Sequence, residues 1–222
     1  ELLAVLEMHR QVYRVLGLTE FRIRLSTHGD GSAHANKFVD DPAGWARSEA
    51  ILRDVLAQSQ LAYFEGPGEA AFYGPKIDFQ FRMVTGREET ASTLQLDFAM
   101  AERLDLSYIG PDGSACRPLI LHRAPLGTHE RFVALLIERF GGAFPTWLAP
   151  IQARVLPVGE AYDEYAYEVR QALRSQRVRA DVDLSGPTLG KRIRQAALNK
   201  VPNVLVVVPT FYHPLLPWEV AP

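Results

Sequence analysis

Apolar positions recur along this chain with two different periods, and the switches between them divide it into elements. From Glu1 to Leu16 the residues Leu2, Leu6, His9, Val12, Tyr13 and Leu16 fall at three- and four-residue intervals, which predicts a helix with one apolar face, ended by Gly17. From Phe21 to Ser26 the period drops to two: Phe21, Ile23 and Leu25 oppose Arg22, Arg24 and Ser26, as in a half-buried strand. His28 to Pro42 is polar and glycine-bearing, a loop. Trp45, Glu49, Leu52 and Leu56 then mark one side of a second helix.

Between Ala70 and Phe98 the alternation predicts a hairpin turning at Gly86. On its first strand Ile77, Phe79, Phe81 and Met83 oppose Asp78, Gln80 and Arg82; on its second, Leu94, Leu96 and Phe98 oppose Thr93, Gln95 and Asp97. Such a hairpin turns one face to the core and offers a polar one to water or to a ligand. Leu119 to Leu121 reads as a short strand, followed by His122-Arg123 and a turn around Pro125 and Gly127. The helix after it, which Thr128 can cap, carries Phe132, Leu135, Leu136 and Phe140 on one face.

Ala149-Pro150 suggests a domain boundary, giving parts 1–149 and 150–222. Beyond it come a strand (Ile151 to Val158), a helix (Ala161 to Gln176), a strand (Val178 to Asp183), a helix (Thr188 to Lys200) and a fully apolar strand (Val204 to Val208). That order implies a parallel or mixed sheet covered by helices. The tail PTFYHPLLPWEVAP is apolar and proline-rich; it is expected to leave the sheet unextended, with Phe211, Tyr212 and Trp218 poorly buried. The expected fold class is therefore α/β, with an antiparallel α+β first part and a small, incomplete second one.

Composition narrows the function classes. A chain of 222 residues, 47% hydrophobic, can bury a core, and its net charge of −2 gives no global field for nucleic acid, so such contact must come from local patches. A single cysteine, Cys116, rules out an internal disulfide and a multi-cysteine zinc site, which suits the cytoplasm. No run of 18 apolar residues and no charged-then-apolar leader is present, so a soluble protein with no membrane partner is expected.

Arg131 sits in the first turn of its helix, where a cation opposes the helix dipole; a residue placed against a local preference suits an anionic ligand, although a solvated arginine reads equally well. His28, Asp30 and His34 form a weak metal candidate, lacking regular spacing, and His9 on its apolar stripe reads as a core-edge residue. Lys191, Arg192, Arg194 and Lys200, with Arg174, Arg177 and Arg179 nearby, form a basic cluster suited to phosphate backbone or simply to water.

HRAPLGTHERF followed by GAFPTWLAPIQARVLPV resembles motif three of the class II aminoacyl-tRNA synthetases, in the form found in the threonyl-tRNA synthetases; AAFYGPKIDFQ (70–80) and STLQLDF (92–98) match the same family. The likeness runs from residue 1 to about Pro209, its second part resembling the anticodon-binding domain. It implies threonine–tRNA ligation through a threonyl-adenylate, with ATP and magnesium, threonine and its tRNA as partners, and a homodimer. By the same resemblance Arg131 and Gln95 meet ATP, Lys76 approaches the reacting phosphate, and Tyr73, Thr93 and Gln95 line the amino-acid pocket; Lys191, Arg192 and Arg194 of the basic cluster are the candidates for tRNA. His122 corresponds to one of three zinc ligands; the other two, with motifs one and two, lie upstream of anything aligning with residue 1.

Thr90-Ala91 stands where the family often has a glutamine-cysteine or similar pair, so that wall of the pocket is expected to differ. With these parts missing, the isolated chain is expected to be inactive. Two alternatives remain open at this point: a non-catalytic tRNA-binding module, and a specialised paralogue activating another amino acid.

Overall fold

Helix α1 (Leu2–Val15) forms on the stripe read above and stops where Gly17, at φ +66°, lets the chain reverse so that Leu18 N–H reaches the carbonyl of Tyr13. The computed structural model describes residues 1–29 and 37–208, divided into two units, Glu1–Arg139 and Phe140–Pro222. In the first unit β1 (Arg22–Thr27) follows α1. Helix α2 (Pro42–Ser59) is longer than its apolar stripe, because Asp41 caps it through Gly44 N–H and Pro42 suits its first turn. Then come β2 (Tyr63–Pro67), β3 (Lys76–Arg82), β4 (Glu88–Asp97), the single turn α3 (Met100–Arg103), a small ladder of β5 (Tyr108–Ile109) and β6 (Ala115–Cys116), β7 (Ile120–Ala124) and α4 (His129–Phe140).

The main sheet has the order β2-β1-β3-β4-β7, antiparallel except where β2 joins β1 in parallel. Strand β2 has no sequence signal: Glu65, Gly66 and Pro67 break any apolar alternation, and only its pairing with β1 makes it a strand. One face of the sheet carries Ile23, Leu25, Ile77, Phe79, Phe81, Leu94 and Leu96, all buried. Helix α1 packs there, with His9 stacked on Phe79 at 4.9 Å and Tyr13 edge-on to Phe79 and Phe81. The hydroxyl of Tyr13 also meets that of Ser92, which carries a hydrogen bond across the core.

The second face is polar, as the alternation required, yet it is not water-washed. Asp78 and Asp97 are fully buried and Gln80 nearly so. Strand β4 also carries a bulge: Phe79 pairs with Ser92 but Gln80 with Thr90, leaving Ala91 as the extra residue. Strict period-two reading would put Thr90 on the apolar face; the bulge returns it to the polar one, where Gln80 Nε2–H donates to Thr90 Oγ1 at 2.8 Å.

In the second unit β8 (Ala153–Pro157) lies between β9 (Ala180–Val182) and β10 (Val204–Val207), every pairing parallel. A 3-10 turn (Glu160–Tyr162) leads into α5 (Asp163–Ser175), and α6 (Leu189–Leu198) precedes β10. Val155, Ala166 and Val207 form the core, with Tyr162, Val169, Leu173 and Val182 against it. Arg154 on β8 donates two hydrogen bonds to Asp181 on β9, at 2.6 and 2.9 Å. The expectations for the tail after Val208 lie outside the described residues, as do Asp30 and His34 of the metal candidate.

Candidate active site

The site is built on the polar face of β3, β4 and β7, where cross-strand register decides which side chains are neighbours. Gln95 pairs with Lys76 on one side and His122 on the other. Tyr73, held just before β3, donates its hydroxyl hydrogen to Gln95 Oε1, and its ring lies 5.2 Å from the His122 imidazole. Three of the expected site residues, 49 positions apart at the extremes, thus share one corner. Gly74 makes this possible, since a Cβ there would come within 1.9 Å of the Leu96 carbonyl. Burial, and then the nearby Asp97 carboxylate, push the Tyr73 phenol up, so it stays a protonated donor.

Two buried carboxylates organise this corner, and neither was singled out as a site residue from the sequence. Asp97 Oδ1 accepts from the N–H groups of Ala99 and Met100, while Oδ2 lies 2.9 Å from His122 Nε2. Asp78 Oδ2 accepts from Lys76 Nζ at 2.7 Å, Ser26 Oγ at 2.8 Å and Arg24 Nη2 at 2.9 Å. Burial alone would raise the Asp78 carboxyl, but the Lys76 ammonium and the hydrogen bonds from Lys76, Arg24 and Ser26 outweigh it and hold it below the usual carboxylate range. The available signal was each acid's place in the polar alternation, since Asp78 pairs directly with Thr93. Asp78 Oδ1 and Thr93 Oγ1 are both buried and have no hydrogen-bond partner among the described residues.

Arg131 is not part of that corner. It is exposed in the first turn of α4, and its Nη1 donates to the Thr90 carbonyl at the β4 bulge at 3.4 Å. Thr90 and Gln95 are five residues apart along β4, roughly 15 Å. The turn before α4 is pressed onto the same bulge: Gly127, at φ +55°, leaves only 2.2 Å between a would-be Cβ and the Ala91 carbonyl. The bulge thus fixes where the helix bearing Arg131 begins.

His122 has Asp97 beside it, but among the described residues no three His, Cys, Asp or Glu side chains are grouped to hold a metal ion, so the described residues do not fit zinc. His28, from the weaker metal candidate, is instead packed between Phe38 and Trp45, with ring centroids 4.7 and 4.9 Å away.

Residues 1–140 match the family model for the tRNA synthetase class II core domain (G, H, P, S and T), more than half the chain. The chain belongs to the class II tRNA synthetase core family. Residues 152–211 match the anticodon binding domain model. Among curated relatives, Threonine--tRNA ligase of Exiguobacterium sp. is 46% identical over 91% of this chain, and that of Geobacillus sp. 47% over 91%. The chain spans 31% of the length of each. The RNA binding domain of threonyl-tRNA synthetase from Cryptosporidium parvum is 33% identical with a TM-score of 0.83, covering 92% of this chain and 50% of that one. A threonyl-tRNA synthetase described as putative, from Aeropyrum pernix, is 28% identical with a TM-score of 0.72, covering 92% and 49%.

In the second unit the basic cluster read from the sequence is not one surface. Arg192 is buried and donates to the carbonyls of Pro157 and Asp183, at 2.6 and 2.8 Å; this corrects its reading as an exposed member of the patch. Arg179 stays exposed, but its guanidinium is engaged, donating to the carbonyls of Trp147 and Ala149. Lys191 and Arg194 remain exposed on α6, beside a concavity shared with Ser185, Pro187, Gln195 and Leu198. Among the described residues no helix is long and apolar enough to cross a membrane.

Proposed function

We propose that this chain belongs to a cytoplasmic, homodimeric threonine–tRNA ligase, contributing the amino-acid corner of the activation site and the anticodon-binding unit. The observation that carries this reading is the meeting of Tyr73, Gln95, Lys76 and His122 on one polar sheet face, in a chain 46% identical to proteins named Threonine--tRNA ligase. In the reaction a threonine carboxylate oxygen attacks the α-phosphorus of ATP, and pyrophosphate departs. The 3′-terminal hydroxyl of the tRNA then attacks the acyl carbon and releases AMP.

This chain's residues act by position and charge. Tyr73, by donating to Gln95 Oε1, fixes that amide beside His122, and Thr93 Oγ1 is a further polar group for the amino acid. Lys76, in register beside Gln95, places positive charge where the carboxylate meets phosphorus. Arg131, at the far end of β4, suits the distal part of an extended nucleotide laid along the strand; magnesium would travel with the ATP. Exposed Lys191 and Arg194 are the basic groups offered to tRNA.

A non-hydrolysable threonyl-adenylate analogue tests the reading by titration against the chain. Binding is expected, and Tyr73→Phe, Gln95→Ala and Arg131→Gln should each weaken it. Equal affinity for the alanyl or prolyl analogue, or indifference to all three substitutions, would refute the reading.

A further inference from the structure

The least economical feature of the polar face is the sharing of one carboxylate by two cations. Lys76 Nζ and Arg24 Nη2 both donate to the same oxygen of Asp78, whose side chain is wholly buried. About four-fifths of each cationic side chain is covered, at 18% and 19% exposure. A single negative charge balances only one of them. Among the described residues the one further acid within 4 Å of either cation is Glu69, 3.5 Å from Arg24 but 56% exposed, so water screens its contribution. Desolvated cations in excess of their partners are costly, and for stability alone apolar side chains would serve at least as well.

The arrangement is also built rather than incidental. Arg24 Nε–H donates to Ser26 Oγ at 3.0 Å, and Ser26 in turn donates to Asp78. The stem of Arg24 crosses the neighbouring strand where Gly66 lacks a side chain; a Cβ there would sit 2.8 Å from Arg24 Cδ. Register places Arg24 opposite Asp78 and Lys76 opposite Gln95, so the two cations stand on adjacent strands, one step from the amino-acid corner.

We infer that Arg24 and Lys76 form a two-cation seat for a phosphate-type anion, with Asp78 as the positioning residue that aims both. This rests on the proposed synthetase reading and adds to it Arg24, on β1, as a binding group for the pyrophosphoryl portion of the nucleotide. Two positive groups four-fifths desolvated and held by a common acceptor need little reordering when the anion arrives.

The test uses the full 222-residue chain and inorganic pyrophosphate, with binding followed by calorimetry and folding by thermal melting. Arg24→Gln and Lys76→Gln should each weaken pyrophosphate binding roughly ten-fold or more. Arg24→Lys, which keeps the charge on a different head group, should recover part of the loss and guards against a variant that merely unfolds. Arg22→Gln, on the same strand but paired with exposed Glu88, should leave binding unchanged. If Lys76→Gln weakens binding while folded Arg24→Gln does not, the two-cation seat is wrong and the synthetase reading stands. If the chain binds neither pyrophosphate nor the threonyl-adenylate analogue, both fall together.

Discussion

Gly127 offers the sharpest check on how the candidate site is held. Its alanine substitution carries two separable costs. The first is conformational: at φ +55° a Cβ is disfavoured by about 1 to 2 kcal/mol. The second is steric. The new Cβ would lie 2.2 Å from the Ala91 carbonyl, which belongs to the β4 bulge and cannot swing aside like a side chain. Relief needs a shift of close to 1 Å between the α4 turn and the strand, the kind of overpacking that costs about 1–3 kcal/mol. Together Gly127→Ala should destabilise the first unit by about 2–5 kcal/mol. Gly86→Ala is the internal control, because its φ of +83° is equally left-handed while nothing lies within 4 Å of its Cβ; it should lose only the conformational part.

Urea unfolding reads both if Trp147 and Trp218 are first replaced by Phe, so that buried Trp45 alone reports on the first unit. A Gly127→Ala loss no greater than that of Gly86→Ala would show that the bulge and the α4 turn are not pressed together as described. Affinity for the adenylate analogue should fall with stability in Gly127→Ala alone, since that turn sets where Arg131 begins its helix.

Tyr13→Phe strands the buried Ser92 hydroxyl and should cost about 1–3 kcal/mol by the same unfolding assay. Burial pulls the His9 imidazole below its ordinary value, against the hydrogen bond it makes to the Val5 carbonyl. The unfolded chain therefore binds the proton first, and stability should decline as pH falls from about 6.5 towards the folded-state value, a slope that His9→Phe removes. Arg192→Ala leaves the Pro157 and Asp183 carbonyls without their donor and should destabilise the second unit by about 2–4 kcal/mol, seen as lost amide-exchange protection in β8 and α6. Lys191→Gln with Arg194→Gln should leave the fold intact but lower tRNA affinity, with the slope of log affinity against log salt reduced by roughly 1.4; an unchanged slope assigns these residues to the solvent.

Much of this protein is written in short-range pattern. The stripe of α1, the alternation of β1, β3 and β4, and the strand–helix succession after Pro150 follow from periods of 3.6 and 2, because a helix or strand exposes its faces at fixed intervals whatever lies around it. The quoted motif blocks likewise pointed to Tyr73, Gln95 and His122, which the fold then brings to one corner. What the pattern could not hold is anything decided by a partner strand. The β4 bulge moves Thr90 to the other face, and β2 exists only because β1 pairs with it. The same limit applies to charge. Arg192 and Lys191 are adjacent letters of one basic run, yet one is spent on two backbone carbonyls and the other faces water. Asp78 and Asp97 read as ordinary polar positions until tertiary packing removed them from water and surrounded them with donors. Local spacing dictates which way a side chain points; only the assembled sheet settles what it meets there, because burial and hydrogen-bond partners come from residues distant in the chain.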